Sequence, residues 1–151
     1  MQPAPEASIA AEDLHLVLKA EPESVRQGLV QMLGLPPLVR LPPDAKGTAE
    51  LVLAEVLNNV AEHAYADRPG TVEVTLTPVT SGIRCLIVDW GVAMPGERLP
   101  DGRLPGGADT ALEDLPEGGF GWHLIRVLTQ DLAYQRSGDQ NHLSFLLPLD
   151  G

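Results

Sequence analysis

An α+β two-layer sandwich is the fold class predicted for this 151-residue chain. Three observations predict it. Apolar segments of strand character occur in pairs joined by short turns, which reads as antiparallel hairpins. Segments with a helical apolar period stand between those pairs instead of alternating with single strands. The resulting order, β-α-α-β-β-loop-α-β-β, groups three helices against one face of a mostly antiparallel sheet.

Each element has its own signal. Residues 1–12 read as a flexible lead-in and 13–151 as one domain. "LHLVLKA", 14–20, alternates as a first strand. "PESVRQGLVQMLGL" reads as a helix, with Pro22 near its start and Gly34 near its end. "LPPLVRLPPDAKG", 35–47, holds Pro36, Pro37, Pro42 and Pro43 and is expected to be a connection, because proline breaks both kinds of ladder. A second helix is expected from Thr48 to Ala66. "TVEVTLTPV" alternates, whereas "GIRCLIVDW" is more continuously apolar and so more central; "TSG" between them suits a hairpin turn. Residues 92–118 form a Gly- and Pro-rich loop long enough to be functional. "GGFGWHLIRVLTQ" enters a third helix, and "LAYQRSG" and "NHLSFLLPL" close the chain as a second hairpin.

Composition narrows the function. The net charge is −11, which opposes a nucleic-acid surface and favours a neutral or basic protein partner. The single cysteine, Cys85, excludes an internal disulfide framework and reads as a small core residue. No apolar run is long enough to cross a membrane, and "MQPAPEASIA" lacks the basic and apolar regions of a signal peptide. A cytoplasmic location is the expectation. His15, His123 and His142 read as surface or packing positions, and Trp90 and Trp122 as core.

Three motifs carry chemistry. In "EVLNNVAEHAY", 55–65, Glu55, Asn59, Glu62 and His63 share one helix face, while Leu51, Leu53, Val56, Leu57, Val60 and Ala64 can pack on a sheet. That polar face lacks the Lys and Arg partners of an ordinary solvated face. An amide oxygen is a hard ligand suited to Mg²⁺, and a carboxylate one turn away can take a hydroxyl proton. In "IVDWGVAMP", Asp89 ends a strand, where a carboxylate can accept from an amino group. Gly91 allows close approach or a positive φ, and Val92, Ala93 and Met94 offer an apolar wall for a flat base. In "EGGFGWHLI", Gly118, Gly119 and Gly121 open a helix whose free N–H groups suit an anion.

The set, E-x-x-x-N on a helix, then D-x-G after a strand, then a long loop into G-x-G, resembles the ATP-binding (Bergerat-type) fold shared by gyrase, Hsp90, histidine kinases and MutL. The wording of "LAEVLNNVAEHAY", "DWG" and "GGFGWHLIRVLTQDLAYQRSGDQNHLSFLLPL" is similar to the anti-sigma-factor branch, small serine/threonine kinases of bacterial stress and sporulation control. The resemblance spans residues 14–149. It implies ATP and Mg²⁺ as cofactors. Glu55 would be the base, Asn59 the Mg²⁺ ligand and Asp89 the reader of the adenine amino group. Gly91 and Met94 would lie beside the base, Gly119 and Gly121 against the phosphates, and 92–118 would be a mobile lid. The implied partners are a STAS-type anti-anti-sigma protein and a sigma factor, with the chain as a homodimer.

One departure stands out. The lid carries Glu97, Asp101, Asp109, Glu113, Asp114 and Glu117 against only Arg98 and Arg103 as candidates to face a γ-phosphate. The competing expectations are a non-catalytic ATP-dependent switch of the same fold, and a histidine-kinase catalytic domain acting on a separate acceptor. The residues before the second helix read as strand, helix and Pro-rich loop, not as an acceptor hairpin.

Overall fold

In the strand Thr71–Val79, Val72, Val74 and Leu76 are buried while the residues between them are not. The same period buries Ile83, Cys85 and Ile87, and again Asn141, Leu143, Phe145 and Leu147. Alternation of this kind marks a sheet with one face against a core. The computed structural model describes residues 13–65, 68–100 and 119–149, with only the backbone of 119 and 120.

The strands are β1 (Leu14–Lys19), β2 (Thr71–Val79), β3 (Gly82–Asp89), β4 (Gln130–Ser137) and β5 (Gln140–Pro148). The helices are α1 (Pro22–Leu33), α2 (Pro43–Asn59) and α3 (Gly119–Leu128). The sheet order is β1-β2-β3-β5-β4, with every neighbouring pair antiparallel. The α+β class is as predicted, and β3 is central as its continuous apolar run implied.

Residues from all three helices and the inner sheet face make one core. Val25 and Met32 of α1, Val52, Leu53, Val56 and Leu57 of α2, and Trp122 and Ile125 of α3 pack with Val74, Leu76, Ile87, Leu143 and Phe145. Each fully buried Leu, Ile, Val or Phe of this set contributes about 1.5–3 kcal/mol through apolar burial. Cys85 belongs to this core, and burial pushes its thiol pKa up.

Four expectations need correction. The second helix begins at Pro43, not Thr48. Proline at the first helical position has no N–H to waste and a φ already set for the helix, so Pro43 starts the element it was expected to precede. Leu51, expected to pack on the sheet, is exposed, because it stands one turn before Glu55 on the polar face of the helix. The α-helix ends at Asn59 and continues as a single π turn, Val60–Ala64. β4 starts at Gln130, two residues early, because an irregularity between Gln130 and Ala133 lets the strand begin with Asp131 at φ 57. The predicted lead-in, 1–12, lies outside the described residues.

Candidate functional site

The π turn that continues α2, Val60–Ala64, ends in carbonyls that the helix itself cannot satisfy. One of them, on Ala64, accepts the Val92 N–H at 2.7 Å. This bond ties the segment after β3 to the end of the π turn. It also explains Gly91, where any Cβ would fall inside the Ala64 carbonyl. Of the two reasons offered for this glycine, close approach is the operative one.

Between α2, the ends of β3 and β5, and residues 92–100 lies a cavity of about 570 Å³. Its walls are mainly apolar: Val56, Val60, Ile87, Val92, Met94, Trp122 and Leu143 among others. Its polar lining consists of Asn59, His63, Asp89, Tyr134 and Asn141. An apolar cavity with a few convergent polar groups has the character of a small-molecule site.

The three sequence motifs converge here, but on different terms. Asp89 is buried and lines the cavity. Its Oδ1 accepts the Gly91 N–H and the Asn141 Nδ2–H, each at 2.8 Å. Two such bonds offset the desolvation of a buried carboxylate. Met94 lines the same wall, and its N–H donates to the Tyr134 hydroxyl at 3.0 Å.

Asn59 lines the cavity from the end of α2, and its amide nitrogen is buried without a hydrogen-bond partner. An unsatisfied buried amide costs roughly 1–3 kcal/mol, so one on a cavity wall calls for a ligand. The other end of that amide is a hard oxygen of the type Mg²⁺ takes. This donor chemistry fits a divalent ion shared with a polyanion. Among the described residues, no group of three His, Cys, Asp or Glu is placed to hold a metal by itself.

Glu55 stands one helical turn before Asn59 and is not part of the cavity lining. It packs instead on the first turn of α3, where a Cβ at Gly121 would collide with Glu55 Oε1. The missing side chain of Gly121 is thus what lets the carboxylate meet the start of α3. Burial, and secondarily the charge of Glu62, raises the Glu55 pKa above the ordinary carboxylate range. The polar face of α2 therefore divides. Asn59 and His63 face the cavity, Glu55 faces α3, and exposed Glu62 lies 3.6 Å from His63. Gly119 is the first residue of α3.

The expected lid behaves differently along its length. Residues 92–100 are pinned by the Val92 and Met94 bonds, by Asn141 Nδ2 donating to the Val92 carbonyl at 2.9 Å, and by the Arg126 guanidinium on the Pro100 carbonyl. Arg98 is exposed; Arg103, Gly118 and the rest of 101–118 lie outside the described residues.

Sequence reasoning missed Asn141, Tyr134 and Arg136. The signal was present for the first: in "NHLSFLLPL" Asn141 shares the inward period with Leu143, Phe145 and Leu147, so a polar residue was due on the core face. Tyr134 and Arg136 carry no local signal, because only the β4–β5 register brings them to Asn141.

Residues 18–147 match the family described as the histidine kinase-like ATPase domain. The chain is 32% identical over 98 residues to the serine/threonine-protein kinase BtrW of Bordetella bronchiseptica, covering 64% of this chain and 66% of that protein, just under two thirds of its length. It is 23% identical over 121 residues to the serine-protein kinase RsbW of Bacillus mycoides, covering 80% of this chain and 76% of that protein. A serine-protein kinase RsbW of Bacillus cereus matches to the same extent.

Proposed function

This chain belongs to the histidine kinase-like ATPase domain family, and from that membership we propose that it binds Mg²⁺–ATP and phosphorylates a serine of a protein partner. The observation that carries the proposal is Asn59, whose unpartnered amide nitrogen sits on the cavity wall one turn from a partly desolvated Glu55.

Each residue has a task in this reading. Asp89, held at the strand end, accepts the adenine amino group, and Met94 and Val92 cover the base. Asn59 holds Mg²⁺ through its amide oxygen; the ion, when bound, neutralises phosphate charge. The start of α3, at Gly119 and Gly121, offers backbone N–H groups to the phosphates. Glu55 takes the proton from the attacking serine hydroxyl, and its raised pKa makes it a stronger base than an exposed carboxylate. Phosphoryl transfer asks mainly for such positioning and charge compensation.

The relatives named as serine kinases support this choice over a histidine acceptor. The finer reading is an anti-sigma-factor kinase whose substrate is a STAS-type anti-anti-sigma protein, with a sigma factor as second partner and a homodimer as the working form. Its place is the cytoplasm; among the described residues no helix is long and apolar enough to cross a membrane.

One observation favours a second reading, an ATP-dependent switch without chemistry: no Lys or Arg is among the described residues that line the cavity. Incubation with labelled ATP, Mg²⁺ and a STAS-type partner separates the two. Labelled phosphoserine that is lost in Glu55→Ala, while that variant still binds ATP, is the expected result. Transfer that survives in Glu55→Ala would overturn the assignment of the base, and binding without any transfer by the wild type would leave the switch.

A further inference from the structure

Asn141 is a costly residue for its place. It sits on the inner face of β5, 5% exposed, in line with Leu143, Phe145 and Leu147. Asparagine disfavours strands, and its amide must be fully satisfied when buried. The register places it directly between Asp89 on β3 and Arg136 on β4.

Every polar atom of that amide is used. Its Oδ1 accepts from the Tyr134 hydroxyl and from Arg136 Nη1, the latter at 3.1 Å. Its Nδ2 donates to Asp89 Oδ1 at 2.8 Å and to the Val92 carbonyl at 2.9 Å. Two donors face one end and acceptors face the other, so the neighbours dictate the orientation of the amide. Arg136 Nη1 also donates to the Gly91 carbonyl at 2.7 Å, fixing the backbone that supplies the other bond to Asp89.

The consequence falls on Asp89. Both bonds it accepts end on Oδ1, and among the described residues none ends on Oδ2. We propose that Asn141 is a positioning residue that, by engaging Oδ1, turns Asp89 into a reader with a single free acceptor, selective for a purine that presents an amino group over one that presents an oxygen. Tyr134 is the support of that residue, and its hydroxyl, by accepting the Met94 N–H, ties the reader to the segment covering the base. A site built to accept a hydrogen bond rejects an analogue that turns an acceptor toward it, because two acceptors then meet without a proton. The inference rests on the nucleotide reading of the cavity given above.

The test is calorimetry with Mg²⁺ and either ADP or IDP, whose hypoxanthine carries an oxygen where adenine carries the amino group. Wild type is expected to prefer ADP. Asn141→Leu is expected to lower the ADP/IDP affinity ratio about tenfold, the scale of one hydrogen bond to a charged group, with IDP binding little changed. Tyr134→Phe should lower it about threefold, as a support one bond removed. Asn141→Thr, which restores one donor on a strand-compatible side chain, should recover part of the ratio. A folded Asn141→Leu with the wild-type ratio overturns the inference and leaves nucleotide binding standing. Should that variant fail to fold, unchanged ratios in both Tyr134→Phe and Asn141→Thr overturn it equally. A wild type that binds neither nucleotide overturns the nucleotide reading itself, and a wild type that binds both alike removes the selectivity.

Discussion

At the sheet end of the cavity, Asp89 is buried within a network in which Gly91, Asn141, Tyr134 and Arg136 satisfy one another. At the helix end, Asn59 has a buried amide nitrogen with no partner, and Glu55 is partly desolvated and feels the charge of another acid, Glu62. The difference follows from the elements. Strands in register bring side chains from three segments into cross-strand contact, so a polar group placed there can be satisfied by its neighbours. The polar stripe of α2 has its nearest polar neighbours one turn away on the same helix, and among Glu55, Asn59, Glu62 and His63 there is no Lys or Arg. At the sheet end the network holds everything but Asp89 Oδ2 in place; the helix end is left for a ligand to complete. In the proposed function the sheet end recognises and the helix end reacts.

If that division is right, the largest effect belongs to Glu55. Glu55→Gln should reduce phosphoryl transfer by about 10²–10⁴-fold, the range of a general base, while ADP affinity stays near wild type. Single-turnover transfer and calorimetry on the same variant check both halves, and a matching loss of affinity would erase the distinction between the two ends.

Next is the sheet end's dependence on backbone approach. Gly91→Ala forces a Cβ into the Ala64 carbonyl, so overpacking should cost about 2–3 kcal/mol, read as a lower urea midpoint at unchanged slope. Wild-type stability in that variant would mean the β3 end yields more readily than its bonding implies.

A smaller effect is expected at Asn59. Asn59→Ala removes an unsatisfied amide, so stability should hold or rise slightly, whereas nucleotide affinity in Mg²⁺ should fall about tenfold and approach the value in EDTA. Titrations with and without Mg²⁺ test it; an unaltered Mg²⁺ dependence would take the ion away from this residue.

The smallest effect concerns pH. Burial first, and Glu62 second, hold the Glu55 carboxyl above its ordinary range. Transfer needs the carboxylate, so it should fall as pH drops through that raised pKa. Stability runs the other way: the folded chain holds this proton more tightly than the unfolded one. The contribution is therefore complete below the unfolded pKa and is lost as pH rises through the folded pKa. Glu55 is partly exposed, so solvent screening keeps that contribution small. Glu62→Gln should move the acid limb of a pH–rate profile toward lower pH, and a limb that does not move would show that burial alone sets it.

Much of the fold was legible because it rests on local periods. The alternation in "TVEVTLTPV" and "NHLSFLLPL", the turn in "TSG" and the helical period of "LVLAEVLNNV" each fix an element by side-chain burial alone. Pro43 was misread because the same residue ends one helix or begins another according to position, and the local sequence does not say which. Within the site, Glu55 and Asn59 stood out on a polar helix face without Lys or Arg partners, and Asp89 as a polar residue on an apolar-patterned strand. Asn141 met the same criterion and was overlooked. Tyr134 and Arg136 did not, since neither is unusual on an edge strand.

By itself, then, the sequence determined the α+β class, the element order and, through three short motifs, the family. Local sterics and burial periods act over a few residues, so they are written locally. Only the tertiary structure decided that Gly91 is required by the Ala64 carbonyl and that Glu55 meets α3 at Gly121 while Asn59 meets the cavity. It alone joined Asp89 to Asn141, 52 positions apart in sequence. Those contacts depend on strand register and on the angle between α2 and the sheet, quantities that arise only when the whole core packs.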